Sequence, residues 1–101
     1  MRLAELASLI RSKNAGPFSL TFDVMFPDEA GYRRVKESGI LTAGLVARLY
    51  RCPLDSVRFF DCDNARAFKA TIPRRRTQGD FGDPDLHGGQ QYAPLMSIEI
   101  P

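Results

Sequence analysis

The sequence predicts a small α+β domain, with two helices packed on one face of a mixed or antiparallel sheet. Three observations carry this. Residues 18–26 place an apolar side chain at every second position, two capped helical stripes follow within 27–50, and a second alternating segment spans 67–72. With 101 residues, 44% of them hydrophobic and 26% charged, the chain is expected to form a single domain over 1–101 around one core.

Taken in order, the first segment has two readings. Leu3, Leu6, Ala7 and Ile10 fall at i, i+3, i+4 and i+7, the helical template. A strand over 3–10 buries the same residues, and the piece is short for a helix. Arg11-Ser12-Lys13-Asn14-Ala15-Gly16-Pro17 reads as a polar loop running into a Gly-Pro break. In 18–26, Phe18, Leu20, Phe22, Val24 and Phe26 share one face, and Ser19, Thr21, Asp23 and Met25 share the other. That is a strand with one face in the core.

Pro27, Asp28 and Glu29 open a helix, with the carboxylates near the positive end of its dipole, and Ser38-Gly39 stops it. Thr42 caps a second helix whose stripe is Leu45, Val46, Leu49 and Tyr50, and which ends near Arg51-Cys52-Pro53. Residues 56–60 read as a short strand, 61–64 as a turn, and 67–72 as the returning strand, with Phe68, Ala70 and Ile72 on one face. The stretch 77–89 is rich in Gly, Asp and Pro, as a mobile or functional segment is. Alternation over 95–100 predicts a closing strand.

Composition excludes several classes. A net charge of +2 is too weak for a nucleic-acid binder, which carries a pronounced basic face. No apolar run approaches the ~20 residues of a membrane helix. Glu5 interrupts what would be the apolar region of a signal peptide, so the chain is expected to be cytoplasmic. Cys52 and Cys62 read as reduced thiols rather than a bridge. His87 is the only histidine, and no short Cys-x-x-Cys or His-x-x-x-His spacing exists, so neither a metal nor a cofactor is expected. Asp61-Cys62-Asp63-Asn64 offers oxygen ligands but lacks the later ligands of a calcium loop.

Polar functionality gathers in three places. In 11–17, Arg11 presents a planar fork suited to a carboxylate or phosphate and Lys13 adds a point charge. Ser12 and Asn14 orient a ligand or shape the turn, and Gly16 permits close backbone approach. A solvated turn is the commoner meaning of such residues. Arg74, Arg75 and Arg76 form either a docking patch toward an acidic partner or a solvated charge run. His87, with a pKa near neutrality, is the candidate general acid or base, with Gly88, Gln90 and Gln91 as ligand contacts; an exposed loop histidine is the blander reading.

The 11–17 motif, Asp23-Val24-Met25-Phe26, Gly39-Ile40-Leu41, Ala47-Arg48-Leu49-Tyr50, Thr71-Ile72-Pro73-Arg74, and the tail from His87-Gly88 to Ile98-Glu99-Ile100-Pro101 together resemble a bacterial family of small proteins. That family is domain of unknown function 4387, and the resemblance covers essentially the whole chain. Its members are typically encoded beside larger proteins of the acyclic-terpene-utilisation (AtuA) type. AtuA-type proteins often carry a small C-terminal domain of ferredoxin-like fold, opening with an apolar segment, a Ser-Gly-Asp-Lys-Gly loop and an alternating strand. Ser12, Lys13 and Gly16 take the corresponding parts, with different spacing and no aspartate, and His87-Gly88 matches a late His-Gly step.

The resemblance implies ferredoxin-like character and tilts 3–10 toward a strand. It also implies a small subunit that completes or stabilises an active site on a larger AtuA-like catabolic protein. The implied chemistry is a hydratase or lyase step on a carboxylated or branched metabolite, with His87 catalytic. Arg11, Ser12, Lys13, Asn14, Gly16, Gly88, Gln90 and Gln91 then contact the substrate, and Arg74, Arg75 and Arg76 dock the partner. Self-association stays open, with no nucleic-acid or membrane partner expected. The competing class is a stand-alone binding or regulatory module without catalysis.

Overall fold

The computed structural model describes residues 1–16, 18–73 and 93–101. Strands β1 (Leu9–Asn14), β2 (Ser19–Met25), β3 (Arg58–Cys62) and β4 (Ala67–Pro73) form one antiparallel four-stranded sheet in the order β1-β2-β4-β3. Helices α2 (Glu29–Ser38) and α3 (Ala43–Tyr50) connect the two strand pairs, and the one-turn helices α1 (Leu3–Leu6) and α4 (Ala93–Met96) flank them in sequence. The expected α+β layering is therefore present, and the sheet is antiparallel. A ferredoxin-like chain alternates β-α-β-β-α-β; here two strands, two helices and two strands follow one another, so the likeness lies in the layers rather than in the connectivity.

Local chemistry explains the boundaries. Gly16 sits at φ 85, the left-handed conformation a tight reversal asks for, and Ala15 N–H donates to Ser19 O at 2.9 Å to close the β1–β2 hairpin. Asp28 Oδ1 accepts from Gly31 N–H at 2.8 Å at the start of α2, and Gly39 ends that helix at φ 67. Thr42 Oγ1 accepts from Leu45 N–H at 3.2 Å to open α3, which Arg51 closes at φ 56. The core lies between the helices and one sheet face, with Phe22, Val24, Phe68 and Ile72 meeting Tyr32, Val35 and Val46.

Four expectations are corrected. Residues 3–10 are neither one helix nor one strand: the helical spacing holds for a single turn, then Ala7 goes extended and Leu9 pairs with Met25. Pairing with β2 gives that backbone a ladder of hydrogen bonds, which a short isolated helix cannot match. The same ladder carries on through Arg11–Asn14, which are strand and not loop. The strand expected at 56–60 runs from Arg58 to Cys62, because Leu54–Ser56 take up a 3-10 turn, and the following turn occupies Asp63–Ala65. Residues 95–100 do not form a strand. Pro94 lies in the first turn of α4, where its missing N–H costs nothing, and only an isolated bridge, Arg2 to Glu99, follows.

That last correction is visible in burial. In a strand Leu95 and Ile100 would point to opposite faces, yet both are buried, at 2% and 1% exposure. Leu95→Ala is expected to cost about 2–5 kcal/mol in urea unfolding, as large-to-small core changes do. Met96→Ala, at an exposed site, should stay within about 0.5 kcal/mol. Equal losses at both positions would contradict the one-turn helix.

Candidate functional site

Pleating sorts the sheet residues onto two faces. Leu20, Phe22, Val24, Phe68, Ala70 and Ile72 line the first, and the buried helix residues Leu3, Tyr32, Val35, Val46 and Leu95 all join them. Ring contacts fix the layers: Phe22 to Tyr50 at 4.6 Å and Tyr32 to Phe68 at 5.0 Å between centroids. None of these five helix residues belongs to the second face.

The strand register arranges that second face in transverse rows. Lys13, Thr21, Thr71 and Arg58 stand opposite one another across the sheet; Arg11, Asp23, Lys69 and Phe60 form the next row, and Leu9, Met25, Ala67 and Cys62 the third. Arg11 Nε donates to Asp23 Oδ2 at 3.0 Å, so the one carboxylate of these rows is taken. Thr21 and Thr71 share a hydroxyl–hydroxyl hydrogen bond of 3.1 Å, and Thr21 is buried at 3% exposure. Lys13, Arg58 and Lys69 are exposed, and among the described residues none of the three has a carboxylate within ion-pair distance. Phe60 and Leu9 stand exposed beside them.

A second polar cluster lies at the β3 edge. Lys36 Nζ of α2 donates to Asp63 at 2.7 Å and forms an ion pair with Asp61 at 3.3 Å, while the hydroxyl of Tyr32, whose ring is buried, donates to the same Asp63 Oδ1 at 2.5 Å. The Lys36 and Tyr32 hydrogen bonds hold the Asp63 carboxyl below its usual range. Its bond to Asp63 pushes Lys36 up, and burial, then Asp63, pushes the Tyr32 phenol up. All these groups are satisfied by one another, which marks the cluster as a clasp between α2 and the β3–β4 turn.

The sequence-predicted residues separate. Arg11 and Lys13 project from the second face, whereas Ser12, buried, and Asn14, half-buried, lie on the helix side opposite Phe22 and Leu20. Both Ser12 and Asn14 have interaction partners. Gly16 serves the hairpin turn. His87, Gly88, Gln90, Gln91, Arg74, Arg75 and Arg76 lie outside the described residues.

Cys52 and Cys62 are free thiols, and no group of three or more His, Cys, Asp or Glu among the described residues is placed to hold a metal. The hollow between Phe22, Leu41, Val46 and Leu95 is wholly apolar and belongs to the core. Sequence reasoning missed Arg58, Lys69 and the Thr21–Thr71 pair as a group. Alternation placed Thr21 outward and left 69 and 71 opposite Phe68 and Ala70; only the register brings β3 and β1 residues into their rows.

Comparison with known proteins adds one family. The model described as Domain of unknown function (DUF4387) matches residues 3–99. Neither curated proteins nor solved structures give a match. No helix among the described residues is long and apolar enough to cross a membrane.

The clasp has a pH signature. Asp63, with its pKa depressed, stabilises the fold above the ordinary carboxylate range, and this is lost as pH falls through its folded value. Lys36 and Tyr32, raised, stabilise below the ordinary ammonium and phenol values, and this is lost as pH climbs past about 10. Asp63→Asn, which still accepts from Tyr32, should lower Tm at neutral pH, and the gap to wild type should narrow as pH falls below the ordinary carboxylate range. A gap constant from neutral to acid pH would refute the ionic part of the clasp.

Proposed function

The chain belongs to the DUF4387 family, and from that premise we propose that it is an accessory subunit of a larger AtuA-like catabolic protein, docked through the second sheet face. One observation supports this most directly. Phe60, 53% exposed, stands in register with Lys69 and beside Arg58, and among the described residues neither cation has an acid partner. A large exposed apolar side chain within polar and cationic groups is the composition of an interface centre and rim. The charge calls for an acidic complementary surface.

On this reading the larger chain supplies most of the catalytic groups, and the reaction is a hydration or lyase step on a carboxylated or branched metabolite. Lys13 neutralises the substrate carboxylate; Arg11 assists from its pairing with Asp23. Gly16 holds the turn that sets β1 in place. His87 is the proposed acid or base, with Gly88, Gln90 and Gln91 near it and Arg74, Arg75 and Arg76 extending the docking surface.

Coexpression with a tagged AtuA-type protein tests the proposal. Wild-type chain should copurify in fixed stoichiometry, and the complex should loosen as salt rises. Arg58→Glu with Lys69→Glu should weaken association by roughly tenfold or more, since reversed charges then face like charges, while leaving Tm within a few degrees. Elution as a monomer with no retained partner overturns the subunit reading and favours a stand-alone module.

A further inference from the structure

We infer that the row Lys13–Thr21–Thr71–Arg58 is a binding point for a compact oxyanion, either a carboxylate or a phosphate group. The inference goes beyond partner docking: it names a ligand for the isolated chain and does not require the larger protein.

The register supplies the geometry. The two threonines are direct neighbours on the central strands β2 and β4, and the two cations occupy the same row on the outer strands. Neighbouring strands lie about 4.8 Å apart, so the outer Cα atoms are roughly 14 Å apart. Lys13 and Arg58 have side chains long enough to reach from the two edges toward the centre of the row, where the hydroxyls sit. Lys69, two residues before Thr71 on the same face of β4, adds a third cation beside them.

Hydrogen-bond accounting points the same way. Two hydroxyls carry two protons. Their mutual bond of 3.1 Å uses one, and neither hydroxyl has another partner among the described residues. One proton is left to donate, from buried Thr21 or from half-buried Thr71. An anion is the matching acceptor, since a hydrogen bond to a charged acceptor is worth about twice a neutral one.

Electrostatics select the ligand's sign. Lys13 and Arg58 share a row that holds no acid, while Asp23, opposite Lys69 in the adjacent row, is held by Arg11 at 3.0 Å. Lys13 and Arg58 each face a threonine rather than a carboxylate across the sheet, and a bound oxyanion draws on Arg58's fork and Lys13's ammonium together.

The test is a titration of the full chain, labelled for amide NMR, with sodium succinate and separately with sodium phosphate, each against sodium chloride at matched ionic strength. Saturable shifts should centre on Lys13, Thr21, Arg58 and Thr71 with one or both oxyanions. The salt with the lower half-saturation identifies carboxylate or phosphate as the preferred group. Thr21→Val with Thr71→Val keeps the β-branched shape and removes both hydroxyls, and should raise half-saturation by roughly tenfold. Lys13→Gln with Arg58→Gln, changed only at exposed positions, should do the same.

Shifts that stay linear, that chloride reproduces, or that survive both double substitutions overturn the inference. Partner copurification is read separately, so a failed titration leaves docking standing and a failed copurification leaves the anion site standing.

Discussion

Seven residue pairs join β2 to β4, from Ser19 opposite Pro73 to Met25 opposite Ala67, and both faces of the molecule depend on that alignment. Phe22 meets Ala70 and Val24 meets Phe68 on the helix side, so Thr21 must meet Thr71 and Asp23 must meet Lys69 on the other. A slip by one residue would turn the aromatic core outward and bury the charges. The core therefore fixes more than stability. It determines which polar residues become neighbours on the second face.

The helix layer is tied to that sheet in two chemically different ways. Apolar packing holds its middle, through Tyr32 against Phe68 and Phe22 against Tyr50. At the β3 edge the tie is polar, because Tyr32 and Lys36 of α2 both donate to Asp63 just past β3. Tyr32 takes part in both, with its ring in the core and its hydroxyl at the rim. A buried tyrosine needs such a partner, and the acidic turn provides it. The Asp61–Asp63 pair is in this way consumed by structure, which accounts for its oxygen-rich sequence without a metal.

Much of the fold was legible because local chemistry and global fold agree. Asp28, Gly39 and Thr42 mark helix ends by their own side chain or backbone needs, and Leu20, Phe22 and Val24 of β2 share the core face as their spacing predicts. The failures fall where a local signal met a competing long-range one. Leu3, Leu6, Ala7 and Ile10 have helical spacing, but only tertiary pairing with Met25 and Val24 shows that Leu9 and Ile10 are strand. Residues 11–14 looked like a loop because they are polar; on an edge strand with one face away from the core, polarity is compatible with pairing. Alternation over 95–100 misled because Pro94 and Leu95 join a helical turn against the core. The cationic rows were not legible at all as groups, since register is a property of strand pairs. Of the site residues read from sequence, only Arg11, Ser12, Lys13, Asn14 and Gly16 lie among the described residues, and pleating divides the first four between two faces.

That division changes how the polar motif is to be understood. In a loop, Arg11, Ser12, Lys13 and Asn14 can turn toward one ligand. In a strand they cannot, because successive side chains point oppositely. Ser12 and Asn14 are committed to the helix side, and Arg11 is committed to Asp23, which leaves Lys13 as the available cation. Its ladder neighbours then matter more than its sequence neighbours. In the adjacent row Asp23 stands between Arg11 and Lys69; between Lys13 and Arg58 the sheet instead places a threonine pair, Thr21 and Thr71. The contrast between one row that carries its own carboxylate and one that carries hydroxyls is what the proposed anion site rests on, while the same threonine pair also ties β2 to β4.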